Sequence, residues 1–329
     1  MKSKVQKTAC AVLTALLIWL LVSGLGYIVR PVSTDEVYSQ VETLHSLRPD
    51  SVDVMIYGSS HAYRGVSPAE LRQQYGISAY NYAWNWQHIN TTNLFLKDSL
   101  ESQTPRLALI ECFMAGSVLQ DEDISAEINY TRFLHNRKAR ADYLRQCFGS
   151  SPERYLSFYM PLCAFHENWN TLEEKSFQKL ETEPWLRETM GFLAIDDVVK
   201  VEIPDCRAFR QEPLSEAAEA EILDIIETCR EKGTQVLFFT IPWEGEFTYS
   251  EALRTIAREN GCVYLDLFES AEEIGLDGKT DFADAGHVNT SGAIKISDYL
   301  GQYIVDHYPE LGNGSPKPEP GSAVQGNAV

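Results

Sequence analysis

The sequence predicts an α/β protein: about five parallel strands in one sheet, with helices on both faces. Three observations predict it. Apolar, β-branched runs at 52–57, 77–82 and 106–113 alternate with amphipathic helical stretches. The same alternation resumes at 214 and continues to 307. Between these halves, from about 114 to 213, the pattern breaks into a helical insertion with no legible core strand.

The 329-residue chain opens with Lys2, Lys4 and Lys7, then an uncharged run from Thr8 to Val29. A bilayer crossing needs about 20 apolar residues. Residues 1–30 therefore read as a Lys-rich cytoplasmic end and a transmembrane anchor. A cleaved signal peptide is the alternative. Ser23-Gly24-Leu25-Gly26 offers small residues but no clean small-x-small cut, and the apolar run exceeds a usual signal core, which favours the anchor. Three lysines before the run and Arg30 alone after it place the amino end inside. The expectation is a single-pass cell-membrane protein whose C-terminal domain is extracytoplasmic. Residues 31–50 read as a polar, helical stalk and 51–311 as the α/β domain. Residues 312–329, rich in Gly, Pro, Ser and Asn, read as a disordered tail.

Within the domain, the run Val52 to Tyr57 reads as a buried strand that stops at Gly58-Ser59-Ser60-His61. Gly58 can take backbone angles closed to other residues, so the chain can turn sharply there. Ser67 and Pro68 are a helix cap and first helical residue for a helix over 68–75. A second strand at 77–82 and a helix over 88–100, with Ile89, Leu94, Phe95, Leu96 and Leu100 apolar, lead to Pro105 and the third strand. The insertion is dense in aromatics, among them Tyr143, Phe158, Tyr159, Phe165 and Trp169. Such faces suit sugar rings or lipid headgroups, or else form a small core of their own. An acidic amphipathic helix over 214–232 ends at Gly233, a C-cap. A strand at 235–241, a helix at 250–260, a strand at 262–267 and a closing helix at 288–307 complete the sheet.

A hydrophobic content of 44% supports a real core. The net charge of −19 repels nucleic acid and does not suit an anionic lipid surface. The seven cysteines show no CxxC and no metal-ligand spacing, and an exterior location would permit a disulfide among Cys147, Cys163, Cys206 and Cys229. His45, His135, His166 and His307 show no ligand spacing either, so neither a metal nor a cofactor is expected.

Chemistry enters at two distant stretches. A serine on a turn after a buried strand lies at the carboxyl edge of a sheet, where open α/β folds place ligands. Taken alone, Gly58-Ser59-Ser60 is equally a Ser-rich turn with no chemistry. The second stretch is Asp281-Phe282-Ala283-Asp284-Ala285-Gly286-His287, between the last strand and the last helix. An Asp three residues before a His can accept the Nδ1 proton and leave Nε2 free to take one from a nucleophile. Ser60 is the obvious nucleophile, His287 its base, and Asp284 the orienting carboxylate, which the three-residue offset favours over Asp281. His61 neighbours the nucleophile too closely to be its base; it lines the pocket or caps the turn. Glu111 ends a strand at the same edge, where local hydrogen bonds account for it better than acid catalysis. His88, at a helix start, reads as a cap or surface residue.

These residues resemble the SGNH/GDSL hydrolase superfamily. Gly58-Ser59-Ser60 looks like its first block, with the third residue as nucleophile, and Asp284-Ala285-Gly286-His287 looks like its last. The resemblance covers 52–112 and 234–305, and implies a three-layer, flavodoxin-like sheet and a Ser60-His287-Asp284 triad. Gly-Ser-Ser-His with an amino-terminal anchor most resembles the membrane-bound, exterior branch, which includes proteins of teichoic-acid D-alanylation and exopolysaccharide O-acetylation. That branch works beside membrane-bound O-acyltransferases. The middle blocks depart from the family. Where its oxyanion hole takes a Gly amide and an Asn side chain, this chain has Trp86 in Asn81-Tyr82-Ala83-Trp84-Asn85-Trp86-Gln87, and Glu111-Cys112-Phe113-Met114 after the third strand. Asn85, Trp86 and His61 remain as oxyanion or substrate-binding candidates. The expectation is a serine esterase or O-acyltransferase acting on acyl esters of cell-envelope polysaccharide or teichoic acid. The alternative is a non-catalytic relative that binds glycan or an acyltransferase partner.

Overall fold

Five short strands carry the sheet: β1 (Val54–Tyr57), β2 (Ala79–Asn81), β3 (Leu107–Glu111), β4 (Gln235–Thr240) and β5 (Val263–Asp266). They pair in the order β2-β1-β3-β4-β5, all parallel. The computed structural model describes residues 2–31, 34–119 and 130–311; the tail read as disordered, 312–329, lies outside the described residues. Strand order reverses between β1 and β3. At such a switch point the connections leave in opposite directions, and a crevice opens at the carboxyl ends.

Alternation along the strands divides the core in two. Val54, Ile56, Leu107, Leu109, Leu237 and Phe239 face one cluster, closed by α3 (Ser60–Gly65), α4 (Pro68–Tyr75) and the last helix, Thr290–His307. Met55, Tyr57, Ala108, Ile110, Val236 and Phe238 face the other, closed by α5 (Ile89–Ser99) and the helix Glu216–Glu231. The result is the three-layer α/β/α architecture expected, with helices on both sheet faces.

Three regions differ from the sequence reading. Residues 31–50 do not stand off as a stalk. α2 (Thr34–Ser46) buries Val37, Val41 and Leu44, and Gln40 donates to the carbonyls of Asn81 and Ala83 at 2.9 Å each. Tyr80 in turn donates its hydroxyl to the Gln40 carbonyl at 2.8 Å. The polar side chains that suggested solvent exposure satisfy backbone groups at the edge strand instead. Second, the described aromatics of the insertion do not form a core of their own. Tyr143, Phe148, Phe158 and Phe165 join the same cluster as Met55 and Tyr57. Third, the turn after β1 winds directly into a short helix, α3, which periodicity over six residues cannot reveal.

α1 (Lys2–Ile28) carries one stretch, Lys4–Ile28, long and apolar enough to cross a membrane. Its side chains from Lys4 to Leu21 are exposed, whereas Gly26 and Val29 are buried against the rest of the protein. All seven cysteines are described and none is paired.

Candidate active site

β1 ends at Gly58, whose φ of +135° lies where L side chains are strained. A Cβ there would also stand 2.7 Å from Glu111 Cβ and 2.9 Å from the Glu111 carbonyl. Only glycine lets the ends of β1 and β3 approach this closely. Ser59 then caps α3, its Oγ accepting the His61 N–H at 3.2 Å. The same hydroxyl donates to Glu111 Oε2 at 2.8 Å, and Glu111 Oε1 accepts the Phe113 N–H at 2.6 Å. Burial pushes the Glu111 carboxyl up to about 7, against the pull of these donors. Glu111 is thus a strap beneath the turn, and Ser60 is the first residue of the helix above it.

The facing loop is pinned just as closely. Phe282 and Val288 form an antiparallel bridge, and the Ala283 and Asp284 N–H groups donate to the His287 carbonyl at 2.9 and 3.4 Å. Asp281 is buried at the base, accepting from the Asp277 N–H, Ser291 Oγ and Lys295 Nζ at 2.7, 3.0 and 2.6 Å. Asn289 caps the last helix, accepting the Gly292 N–H at 3.1 Å.

Between the two loops runs one chain of hydrogen bonds. Ser60 Oγ lies 2.8 Å from His287 Nε2, and His287 Nδ1 lies 2.9 and 3.0 Å from the two Asp284 oxygens. A carboxylate beside Nδ1 fixes the proton there and leaves Nε2 as acceptor. Burial holds His287 below its ordinary value, assisted by the Arg64 guanidinium and opposed by Asp284. The imidazole is therefore neutral at pH 7, the state a general base needs. Burial raises the Asp284 carboxyl, but the Gly286 N–H and His287 outweigh it and leave the group below its usual range. Arg64, one helical turn beyond Ser60, places Nη1 3.7 Å from Asp284 Oδ2.

The serine opens into a cavity of about 590 Å³. Its lining includes His61, Arg64, Trp84, Asn85, Trp86, Phe113, Tyr130 and Glu36. Among the described residues no group of three or more His, Cys, Asp or Glu side chains is arranged to hold a metal ion.

No family model and no curated protein matches this sequence. Among solved structures, this chain is similar to a Bacteroides fragilis protein whose crystal structure is described as that of a "putative acylhydrolase". The identity is 12% and the TM-score 0.41, over 84% of this chain and 99% of that one. The fold and the site rest on the chain's own geometry.

The structure brings Ser60, His287 and Asp284 together and separates Asp281 from them, since Asp281 is consumed at the base of its loop. His61 lines the cavity wall, stacked on Phe113 with ring centroids 3.9 Å apart, and the side chain that caps the turn is that of Ser59. Burial holds His61 well below its ordinary value, so its ring is neutral. Its Nδ1 is buried without a hydrogen-bond partner. Asn85 and Trp86 both reach the cavity. At Trp86, where the resemblance leads one to expect glycine, the backbone has a φ of +52°. A bulky residue in that region costs on the order of 1–3 kcal/mol, and such strain clusters at functional sites. His88 bonds Ser117 Oγ through Nδ1 at 2.8 Å, away from the serine. The sequence reading missed Arg64, Glu36 and Trp84 as lining residues. Arg64 follows Ser60 by four positions, a same-face spacing visible only if a helix begins at the serine. Glu36 was hidden by the stalk reading.

Proposed function

We propose that this chain is a membrane-anchored, extracytoplasmic serine esterase or O-acyltransferase acting on acyl esters of cell-envelope polysaccharide or teichoic acid. The observation that carries the reading is the continuous Ser60–His287–Asp284 hydrogen-bond chain at the sheet's switch point. His287 Nε2 takes the Ser60 hydroxyl proton as Oγ attacks the ester carbonyl carbon. The tetrahedral intermediate collapses, the alcohol leaves with the proton held on His287, and the acyl group stays on Ser60. Water or a sugar hydroxyl, deprotonated by the same imidazole, then releases the acyl group. Hydrolysis and transfer differ only in which hydroxyl reaches His287 second.

Charge on the intermediate needs donors. The Ser60 N–H, at the first position of α3, has no acceptor within its own helix and is available. Asn85 is the side-chain candidate for a second donor, and each donor is worth about 2.7–4 kcal/mol of barrier. The resemblance to the exterior SGNH branch supports the polymer substrate and a membrane-bound O-acyltransferase as partner. A second reading, a non-catalytic glycan- or partner-binding protein, draws on one observation: the residues after β3 supply no Asn, and Glu111 there is tied beneath the turn.

A fluorophosphonate probe separates the two. Covalent labelling at Ser60, abolished in Ser60→Ala, is the expected result. An unlabelled native protein, under conditions that label a control esterase, overturns the catalytic reading.

A further inference from the structure

We infer that the segment 156–177 of the insertion is a seat on the outer bilayer surface, a second membrane contact beside α1. The inference rests on α1 crossing the membrane and goes beyond it. Counting about 20 residues at ~1.5 Å each from Thr8, just past the last lysine, the hydrocarbon ends near Tyr27. At that level the helix becomes enclosed. Gly26 has no room for a Cβ, which would stand 2.8 Å from the Leu162 amide nitrogen. Tyr27 donates its hydroxyl to the Gln178 carbonyl at 2.7 Å, and Asn168 Nδ2 donates to the Val29 carbonyl at 3.0 Å. Arg30 donates to the carbonyls of Ser176, Lys175 and Gln178 at 2.7, 3.0 and 3.1 Å.

The side chains next to these contacts are large, apolar and exposed. Trp169, beside Asn168, is 47% exposed, and Phe177, between Ser176 and Gln178, is 64% exposed. Leu156 and Tyr159, on the helix leading to Leu162, are likewise exposed. Elsewhere among the described residues beyond α1, exposed large apolar side chains are Trp86 in the cavity wall, the adjacent pair Val198 and Val199, and the single residues Leu223 and Ile294; of these only Trp86 is aromatic. Aromatic side chains at headgroup depth gain from an apolar body and a polar tip in a mixed medium. An acidic body on a flexible tether would drift from the surface; this collar holds the domain at a fixed height instead. The chemistry fits zwitterionic rather than anionic lipid, given the net charge of −19.

The test uses the full chain in phosphatidylcholine vesicles containing lipid brominated either high on its acyl chains, which quenches tryptophan near the headgroups, or near their ends, which quenches tryptophan at mid-bilayer, where the count above places Trp19. Trp19 and Trp169 are both about half exposed and lie outside the core clusters, so Phe, which keeps an aromatic ring, replaces either at little packing cost. The expected result is that Trp19→Phe removes emission quenched by the deep bromines and Trp169→Phe removes emission quenched by the shallow ones. If only Trp19→Phe does so, the anchor stands and the seat is refuted, leaving the collar to a protein partner. If neither does, the anchor reading itself falls.

Discussion

The turn after β1 and the loop before the last helix meet across the crevice, and each carries a pair of like residues with opposite duties. In the first, Ser59 is buried and holds the turn to Glu111, while Ser60 faces the cavity and His287. In the second, Asp281 is buried and holds the loop to Lys295 and Ser291, while Asp284, its side chain half exposed, faces His287. The lesson is that the bonds fixing each loop fall mostly on the buried neighbour, which leaves the second residue turned toward the site; Asp284 takes one from its own loop, the Gly286 N–H at 2.8 Å. Identity of residue type says nothing about which of a pair does which; burial and partners do.

Exchanging duties within the pairs is the strongest way to break this comparison. Asp284→Asn should cut kcat on the order of 10²- to 10⁴-fold, because the amide no longer fixes the imidazole tautomer. Asp281→Asn should leave kcat within a small factor and instead destabilise the fold by about 1–3 kcal/mol, the cost of leaving buried donors without their acceptor. Ser59→Ala should behave like Asp281→Asn, and Ser60→Ala like Asp284→Asn or worse. Turnover of an activated ester and thermal unfolding of the same four variants check it. If Asp281→Asn loses turnover while keeping its melting temperature, the division of labour is wrong.

Much of this arrangement was legible in the sequence. Short apolar, β-branched runs bounded by turn residues read as buried strands; Gly58-Ser59-Ser60 falls at the end of one, and Asp284-Ala285-Gly286-His287 in the loop between the last strand and the last helix. What could not be read is what depends on long-range closure. α2 is polar because Gln40 feeds the carbonyls of Asn81 and Ala83, a contact 41 and 43 positions away. α3 is six residues long, too short for a periodic signal, so Arg64 stayed unconnected to Ser60. Glu111 was legible as locally satisfied, but the depth of its burial depends on β1 and β3 closing over it through Gly58. In the insertion, periodicity marked helices without marking whether their aromatics turn to the sheet or away from it.

Glu111 sharpens the comparison from the structural side. Its folded-state value of about 7 lies above the ordinary 4.5. Between these limits the folded protein holds a proton that the unfolded chain has released. This group's contribution is therefore fully present below pH 4.5 and is lost as pH rises through 7. Glu111→Gln lacks that dependence. The difference in melting temperature, native minus Glu111→Gln, should fall as pH is raised across this window. A constant difference would mean that the strap is ionised throughout.

Arg64 probes the reacting side with the smallest expected effect. Its guanidinium lies on the cavity wall, with Nη1 3.7 Å from the Asp284 carboxylate, and its charge helps hold His287 low. Burial does most of that work, so Arg64→Ala should move His287 only part of the way back to its ordinary value. The sign is fixed: removing a positive neighbour favours the imidazolium. The acid limb of kcat/KM, which follows formation of neutral His287, should shift to higher pH, while Arg64→Lys keeps the charge and leaves the limb nearly in place. An imidazole NMR titration of His287 reads the same shift without turnover. If Arg64→Ala leaves both unmoved, the guanidinium serves the substrate alone, and the basicity of His287 is set by its burial and by Asp284.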